Sequence, residues 1–570
     1  MRFKKEVIIL LSILLGGVIF IQSKIRLEFL EPNESSNTEI PPSFVNILTS
    51  KISNITIEIN GNSELEDYFL TDSTNGSIFN PYIIENSTIN SNGFDYCIKI
   101  VNTDRFLIIK NNTLFNTSEI TDSAGIYLQN CSNINILENE MYNNTHGILI
   151  KDSQFNNLSD NTVFNNDFGI RLENSNYTNI IGNNLYENEF SGVSLQISDN
   201  INLTDNRASD NLDGFKVENT TNSTLLSNIA YTNTYSGYNL KSSENCVLIK
   251  NDASSNSNGF IFEDSHGLNV SNNAAGDNSV NGYRLISNSN NSLIDNNASS
   301  NKYGYFFEDS GDNEIVNCSS KNNDYGIYLN DSVFNDLISN DFQGNDWGIY
   351  IQYSNNNFLS MNIIQDNKID GIHLYNSDHV IFTDNEVSNN NGNGIYLDQS
   401  HNNSISENSI LNNREYGIVL TSDSLDNEVK FNLLHSNRMG CIQFIESGNN
   451  IHDNECIEPS PPLINDLIWQ IPLLVSIILI FPFTSRIRGF IKNKGIDRVK
   501  SRKKKEGPRK IIKKKPKKSF RRSKISPFIE SKKPLSDPTI STEEIFVCPN
   551  CNEPLINQFC WKCGLYFYFK

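Results

Sequence analysis

Four cysteines near the C-terminus have the spacing of a metal site. They form two Cys-x2-Cys pairs, Cys548 with Cys551 and Cys560 with Cys563, and eight residues separate the pairs. Four thiolates at this spacing suit tetrahedral Zn²⁺, and so short a segment has no core to fold on without the metal. Two disulfides are the alternative and need an oxidising compartment. The sequence therefore predicts a structural zinc ribbon over residues 546–570.

Aromatic side chains recur at intervals of about 22 residues, or multiples of it, between residues 303 and 416. If each interval is one turn of a repeating structure, the rings lie in register on one face, over about 20 to 25 Å. Such rings can stabilise the face itself. They can also form a platform for sugar rings or for a partner protein. The candidate binding residues are Tyr303, Tyr325, Tyr328, Trp347, Tyr350, His373, Tyr396 and Tyr416, with Phe306 in the same series.

Carboxylates also recur, but in a pattern that does not favour catalysis. Glu173, Glu218, Glu263 and Glu308 are 45 residues apart. This spacing keeps like charges from neighbouring turns and predicts a surface charge ladder, whereas a hydrolase needs two facing carboxylates. Asp309 and Asp331 lie one turn apart and could bind Ca²⁺, but no Arg or Lys that could act as the base of a lyase accompanies them. We therefore assign no catalytic residue, and a polysaccharide lyase or hydrolase is the alternative function.

Copper binding would require imidazole or sulfur ligands. Before the C-terminal tail the sequence has, besides the starting Met, only Met141, Met361 and Met439, and of the seven histidines only His379 and His401 lie one turn apart. A single exposed pair is more often incidental than a copper site. A copper-handling accessory protein is thus the third function considered.

The elements that must position these residues follow from a repeat. A Gly-apolar-x-apolar phrase returns every 22 or 23 residues, at Gly125, Gly147, Gly169, Gly192, Gly214, Gly237, Gly259, Gly282, Gly304, Gly326, Gly348, Gly371, Gly394 and Gly417. Apolar residues alternate within it, which indicates short strands separated by turns. Columns of Asn share the period, and stacked amides can bond to one another. Cys318 replaces Asn in one column and is predicted to be a buried packing residue. Three strands per turn with identical positions stacked predict an all-β parallel β-helix.

The coil pattern, together with Asn80-Pro-Tyr-Ile-Ile-Glu-Asn86, resembles right-handed β-helix proteins of the NosD-like, carbohydrate-binding and sugar-hydrolase (CASH) group. The resemblance covers about residues 55 to 456. It implies a right-handed solenoid of the kind common among archaeal surface proteins. It specifies activity weakly, because pectate lyases, polygalacturonases, adhesins and a periplasmic copper-binding accessory protein share this pattern. The C-terminal cysteines are similar to the short zinc ribbons of archaeal proteins.

Composition and apolar segments predict a chain that crosses a membrane. With 570 residues, 37% hydrophobic residues and a net charge of −20, a single compact core is excluded. Residues 1–484 hold 22 Lys+Arg against 59 Asp+Glu, and residues 485–570 hold 24 against 7. A basic start and an apolar run mark residues 1–23 as a signal peptide or signal-anchor. A second apolar run with a cationic flank predicts a transmembrane helix over residues 463–484.

The predicted order is the segment 1–23, a linker over 24–54, a β-helix ectodomain over 55–458, the transmembrane helix, a basic disordered linker over 485–545 and the zinc ribbon over 546–570. The β-helix would then be extracellular, in contact with glycans or surface proteins, and the tail cytoplasmic. The basic linker is predicted to contact anionic lipid headgroups. Nucleic-acid binding is disfavoured because the linker lacks interleaved aromatic residues. The zinc ribbon would dock an unidentified cytoplasmic partner.

Overall fold

The computed structural model describes residues 52–53, 55–444 and 448–458, and two strands near the C-terminus, Phe559–Cys560 and Leu565–Tyr566. Between residues 52 and 458 the chain winds into a solenoid of about 16 turns, and each turn adds one strand to each of three parallel sheets. This confirms the predicted parallel β-helix. The predicted terminal membrane segments, the basic linker and the side chains of the zinc ribbon lie outside the described residues.

Sheet 1 contains 18 strands in the described residues. They are Ile52–Ser53, Thr88–Asn90, Thr113–Phe115, Glu140–Tyr142, Thr162–Phe164, Asn184–Tyr186, Arg207–Ser209, Ile229–Tyr231, Asp252–Ser254, Ala274–Gly276, Asn297–Ser299, Ser319–Lys321, Asp341–Gln343, Ile363–Gln365, Glu386–Ser388, Ser409–Leu411, Leu433–His435 and Glu455–Ile457.

Sheet 2 begins each repeat at or next to the recurring glycine. Its strands are Ile57–Asn60, Tyr96–Thr103, Ala124–Cys131, His146–Lys151, Phe168–Glu173, Ser191–Gln196, Asp213–Glu218, Ser236–Lys241, Asn258–Glu263, Asn281–Ile286, Tyr303–Glu308, Tyr325–Asn330, Trp347–Gln352, Ile372–Tyr375, Ile395–Asp398, Tyr416–Leu420 and Gly440–Phe444.

Within each turn the sheet 3 strand follows the sheet 2 strand and precedes the sheet 1 strand. The strands of sheet 3 are Tyr82–Glu85, Leu107–Lys110, Ile134–Leu137, Asn157–Ser159, Asn179–Ile181, Asn202–Thr204, Thr224–Leu226, Val247–Ile249, Asn269–Ser271, Ser292–Ile294, Glu314–Val316, Asp336–Ile338, Phe358–Ser360, Ile381–Thr383, Ser404–Ser406, Glu428–Lys430 and Asn450–His452.

The core is a set of stacked apolar columns in which equivalent residues of successive coils pair in register. Tyr238, Phe260, Tyr283 and Tyr305 of sheet 2 are fully buried and stack with ring centroids 4.6 to 4.9 Å apart. The hydroxyls of the three tyrosines donate to carbonyl oxygens of nearby turns at 2.7 to 3.0 Å. These buried O–H groups are therefore satisfied, which removes most of the cost of placing Tyr in an apolar core.

The asparagine columns form the predicted ladders inside the turns. In one of them Asn161 donates its side-chain amide to Asn183 Oδ1 at 2.9 Å, and its backbone N–H donates to the same oxygen at 3.0 Å. The second column, through Asn188 and Asn211, repeats this arrangement. Cys318, which interrupts the first column, is 2% exposed, and burial raises the pKa of its thiol to about 11, so it is packed rather than reactive.

Close approach of the backbones explains the glycine column. A Cβ built on Gly237 would lie 2.8 Å from the carbonyl oxygen of Gly259 and 2.9 Å from the Cβ of Ala253. Both distances are shorter than van der Waals contact, so a side chain at this corner would push neighbouring coils apart. The repeat phrase therefore begins with Gly because the corner between sheets 1 and 2 has no room for a Cβ.

The N-terminal end of the solenoid contains a helix that the repeat does not show. Ile57–Asn60 is a strand that pairs with Tyr96–Thr103. Helix α1 (Gly61–Tyr68) follows it, with Leu65 buried in the core. Eight residues with one buried apolar position give no readable helical period, which is why the sequence did not show this helix.

The C-terminal end carries a disulfide between Cys441 and Cys456, whose Cα atoms are 5.9 Å apart. It joins the last strand of sheet 2 to the last strand of sheet 1. A separation of 15 residues does not match a recognised spacing of disulfide-bonded cysteines, so the sequence did not predict the bond. The described residues contain no helix long and apolar enough to cross a membrane.

Candidate functional site

Sheet 2 presents a band of aromatic side chains on its outer face over five consecutive coils. We define the aromatic strip as Tyr303, Phe306, Tyr325, Tyr328, Trp347, Tyr350, His373 and Tyr396. The strand pairing places Tyr303, Tyr325 and Trp347 in one column. The other five lie in a parallel column, three residues further along each strand. The structure thus brings together seven of the eight candidate residues, together with Phe306.

The rings of the strip stack on one another. Tyr350, His373 and Tyr396 have centroids 4.9 and 4.8 Å apart and nearly parallel planes. Rings with centroids this close cannot lie side by side in one plane. They must therefore stack face to face along the solenoid. Their faces are shielded and their edges point outward. The rings therefore do not lie flat on the surface as a platform.

The stack changes direction in the middle of the strip. Tyr303, Tyr325 and Trp347 lie within about 20° of parallel, whereas Tyr350 is inclined by 74° to Tyr328 and by 80° to Trp347. The strip is therefore two stacks that meet edge to face around Tyr350.

Four tyrosines of the strip have a raised pKa. Burial, followed by the neighbouring tyrosines, raises the pKa of Tyr328 to about 12. Burial is also the main cause of the raised pKa of Tyr325, Tyr350 and Tyr396. The Tyr328 hydroxyl donates to Gln352 Oε1 at 2.7 Å. The strip thus combines apolar ring edges with neutral hydroxyl groups that can donate and accept hydrogen bonds.

Tyr416 does not belong to the strip. Asp370 and Asn393 occupy its column on the two coils between it and Trp347. Its ring faces Gly440 on the next coil, where a built Cβ would lie 3.5 Å away. Tyr416 instead lines a hollow of about 460 Å³ at the C-terminal end, beside Cys441 and His452.

Asp370 and His373 form a hydrogen-bonded pair within the strip. His373 Nδ1 lies 3.2 Å from Asp370 Oδ2. The Asp370 side chain is 7% exposed and that of His373 is 14% exposed. The Asp370 contact was not predicted, although the Asp-Gly-Ile-His spacing could have suggested it. On neighbouring coils the residue before the repeat glycine also contacts the residue three positions later, as Tyr325 contacts Tyr328 with ring centroids 5.4 Å apart.

The glutamate column is a charge ladder, as predicted. Glu173 pairs with Lys151 at 3.1 Å and with Arg171 at 2.7 Å. Glu218, Glu263 and Glu308 each have one cationic partner, at 3.4, 2.7 and 2.9 Å. These pairs are partly exposed and contribute little stability individually. Because every glutamate of the column faces a cation, the column does not offer the two free carboxylates that glycoside hydrolysis needs.

A second aromatic ladder lies on the outer face of sheet 1. Phe115, Tyr142, Phe164 and Tyr186 stack with centroids 4.9 to 5.2 Å apart and planes within 20° of parallel. Their spacing of 27, 22 and 22 residues is visible in the sequence and matches the coil period from Tyr142 onward. All four residues of this ladder are Phe or Tyr, and none is a His or a carboxylate.

Donors for copper do not converge in the described residues. His401 Nδ1 accepts the backbone N–H of Leu425 at 3.2 Å, so that nitrogen has a structural partner. Met141 is buried, and Met361 and Met439 lie on coils far apart along the solenoid. Asp309 and Asp331 occupy equivalent exposed corners of adjacent coils. The described part of the chain holds no group of three or more His, Cys, Asp or Glu side chains that could bind a metal ion.

One of the four predicted zinc ligands lies in a described strand. Phe559–Cys560 and Leu565–Tyr566 pair antiparallel, with Cys560 opposite Leu565. Cys548, Cys551 and Cys563 lie outside the described residues.

The stacked coils define a β-helix protein, and comparison with known proteins gives its family. The chain belongs to the family described as periplasmic copper-binding protein (NosD), whose model matches residues 17–206 and 307–459. The model for the right handed beta helix region matches residues 168–320 and confirms the predicted handedness. No curated protein matches the chain.

Several solved structures are similar to this chain. The periplasmic alginate epimerase AlgG is 13% identical, with 70% of this chain and 89% of that chain covered and a TM-score of 0.25. The Azotobacter vinelandii mannuronan C-5 epimerase AlgE6 A-module is 12% identical, with 63% and 91% covered and a TM-score of 0.27. The Dettilon tailspike protein is 12% identical, with 63% and 61% covered and a TM-score of 0.25.

Proposed function

We propose that this protein is a surface β-helix that binds glycans through the aromatic strip. The observation that carries the proposal is the concentration of eight partly exposed rings over five coils of one face. Ring edges and protonated tyrosine hydroxyls offer apolar contact and hydrogen bonds within one surface, as an uncharged sugar chain requires. A strip that runs along the solenoid suits an extended polymer better than a small compact ligand.

The test is binding by a variant that lacks three rings of the strip. Simultaneous Tyr328→Ala, Tyr350→Ala and Tyr396→Ala substitutions remove rings from both stacks. On a glycan array we expect the signal of the wild-type protein to fall at least tenfold. The matched control replaces Tyr142 and Tyr186 of the sheet 1 ladder by Ala and should bind as the wild type does. Binding that survives the triple substitution would remove the strip from the proposal.

A surface protein is the other ligand that the strip could take. Outward aromatic residues are enriched at protein interfaces as well. A pull-down from cell-surface extracts with the same variants distinguishes the two ligands, since enzymatic deglycosylation of the extract abolishes capture only if the ligand is a glycan. A lyase or hydrolase that relies on the glutamate column is not favoured, because cations occupy those carboxylates.

We further propose that the β-helix faces the outside of the cell and is held by the apolar segment 463–484. The Cys441–Cys456 disulfide supports an oxidising compartment for the solenoid. The cationic flank of that segment would keep residues 485–570 in the cytoplasm. Protease added to intact cells should degrade the β-helix and leave the tail intact, and the reverse pattern would contradict this topology.

The tail would carry a Zn²⁺ ion on Cys548, Cys551, Cys560 and Cys563. The antiparallel pairing of Phe559–Cys560 with Leu565–Tyr566 is compatible with this assignment, because Cys560 lies in a strand that pairs with residues shortly after Cys563, and the Cys-x2-Cys spacing is that of structural zinc sites. We expect one Zn²⁺ per chain by elemental analysis, lost in a Cys548→Ser, Cys563→Ser variant. The same metal analysis tests the copper and Ca²⁺ alternatives for the ectodomain.

A further inference from the structure

The regular pattern of the aromatic strip is interrupted at one coil. Tyr303, Tyr325 and Trp347 occupy the position before the repeat glycine on three coils, and Asp370 occupies it on the next. The sheet 2 strands also shorten here, from six residues in Trp347–Gln352 to four in Ile372–Tyr375. In a chain this repetitive, a local departure that introduces a carboxylate among aromatic rings indicates a functional site.

The Asp370 carboxylate is fixed by its surroundings. Its Oδ1 accepts the backbone N–H of Asn393 at 2.7 Å and the Asn393 side-chain amide at 3.0 Å. A Cβ built on Gly392 would lie 2.5 Å from this same oxygen. The additional glycine of this coil therefore leaves space for Asp370. Its Oδ2 remains to accept a hydrogen bond from His373 Nδ1 at 3.2 Å.

The imidazole of His373 is held by three rings. Tyr350 and Tyr396 stack on its two faces, with centroids 4.9 and 4.8 Å away, and Trp347 meets it edge to face at 4.9 Å. With Nδ1 bonded to Asp370, Nε2 is the remaining ring nitrogen. No group of the described residues hydrogen-bonds to Nε2. A buried carboxylate that orients an imidazole with one free nitrogen is the arrangement of a general base.

We propose that Asp370 and His373 form a catalytic dyad and that the strip hydrolyses an ester carried by its glycan. This inference rests on the proposed glycan binding. Glycosidic hydrolysis would need a second, free carboxyl group, and Asp370 already accepts three hydrogen bonds. Elimination from a uronic acid would need a free cation beside its carboxylate. Lys368, on the neighbouring turn, is paired with Asp346 at 2.6 Å. Ester hydrolysis needs only a base and donors to the developing oxyanion.

The reaction consumes one water molecule. His373 Nε2 accepts a proton from the water as the water oxygen attacks the acyl carbon. Asp370 stabilises the resulting imidazolium through Nδ1–H. The bond between the acyl carbon and the sugar oxygen then breaks, and the imidazolium returns its proton to that oxygen, which releases the sugar hydroxyl and a carboxylic acid. Tyr350 and Tyr396, whose pKa is raised mainly by burial and further by Asp398, keep their O–H groups and can donate to the oxyanion.

The test uses the full-length protein with two probes. 4-Nitrophenyl acetate needs no glycan recognition, and O-acetylated xylan is a polymeric substrate. We expect both esters to be hydrolysed, and we expect His373→Ala to lower kcat by about 100-fold or more. Asp370→Asn should lower kcat with little change in KM and should alter the acidic limb of the pH profile. The matched control, His379→Ala, removes an exposed histidine of another corner and should leave hydrolysis unchanged.

The outcomes separate this inference from the proposed function. If the wild-type protein hydrolyses neither ester faster than the His373→Ala variant does, the dyad is not catalytic. Retained binding of de-O-acetylated xylan or of array glycans would then leave the proposed function intact. If the protein binds no glycan but hydrolyses 4-nitrophenyl acetate in a His373-dependent way, the proposed function fails and the dyad stands. Circular dichroism of each variant checks that the solenoid is folded.

Discussion

A buried asparagine in this solenoid makes several hydrogen bonds at once. Asn183 is 1% exposed and donates its amide to Leu158 O at 3.0 Å and to Asn206 Oδ1 at 2.9 Å. Its own Oδ1 accepts the backbone N–H and the side-chain amide of Asn161. One substitution therefore removes the acceptor of the Asn161 backbone N–H and a donor to the Leu158 carbonyl oxygen, whereas Asn206 Oδ1 still accepts the Asn183 backbone N–H.

Replacement of a ladder residue should therefore be costly. We expect Asn183→Ala to lower the free energy of unfolding by about 1 to 3 kcal/mol, since it leaves buried groups of Asn161 without a partner. Asn184→Ala, one residue further along, removes an exposed side chain and serves as the control. Urea unfolding followed by circular dichroism measures both. Equal unfolding midpoints for the two variants would contradict the role assigned to the ladder.

A buried histidine should make stability depend on pH. Burial lowers the pKa of His146 to about 4, and its Nδ1 lies 3.0 Å from Ser123 O. The unfolded chain binds a proton near pH 6.5, whereas the folded chain binds it only near pH 4. The contribution of neutral His146 is thus complete above about pH 6.5, and is lost as the pH falls through about 4.

The comparison of two variants isolates this effect. His146→Gln should be less stable than the wild type at pH 7.5, and the difference should shrink at pH 4.5. His379→Gln, at an exposed corner, should show no such change. Thermal unfolding at the two pH values gives the difference directly. If the difference in stability between the two proteins is the same at both pH values, protonation of His146 does not affect the stability of the folded state.

At the scale of elements, the glycine corner sets how closely coils pack. We expect Gly237→Ala to destabilise the protein by about 1 to 3 kcal/mol, because the added Cβ would lie 2.8 Å from the Gly259 carbonyl oxygen. The control is Gly276→Ala, where the nearest atom to the added Cβ is 3.5 Å away. Differential scanning calorimetry should show a lower Tm for the first variant alone.

The period of the sequence was enough to predict the coils, the three strands in each and the asparagine ladders, because each depends on spacing alone. The period could not predict whether the rings of the strip stack or lie flat, because their χ angles depend on contacts between coils. The Asp370–His373 pair escaped prediction because it is a contact within one coil, whereas the period describes contacts between coils. Helix α1 was missed because eight residues carry too little periodicity. The Cys441–Cys456 bond was missed because 15 residues give no hint of proximity on successive strands.

At the scale of the whole molecule, the chain divides into a long acidic region and a short basic tail, and the disulfide marks the described end of the acidic region. A solenoid depends on protected ends, because its terminal strands expose unpaired backbone groups. Helix α1 covers the first coil, and the disulfide fastens the last one. Stability of the C-terminal end should therefore depend on oxidation.

Removal of the disulfide should loosen the last coil. The double variant Cys441→Ser, Cys456→Ser opens a 15-residue loop. Because the unfolded chain then gains conformational entropy, the free energy of unfolding should fall by about 3 kcal/mol. We expect faster amide hydrogen exchange in Gly440–Phe444 and Glu455–Ile457, with no change around Gly237. Reducing agent should reproduce this in the wild type and have no effect on the double variant. Unchanged exchange would show that packing alone holds the end.

The ladders also have a direction. Asn161 donates to Asn183, Asn183 to Asn206 and Asn206 to Asn228, always toward the coil that comes later in the sequence. The last coil of a partly folded solenoid therefore has unpaired amide donors, and the acceptors of these donors belong to the next coil in the sequence. We therefore expect a chain that emerges from its N-terminal end to add coils one at a time, each new coil accepting hydrogen bonds from the coil before it.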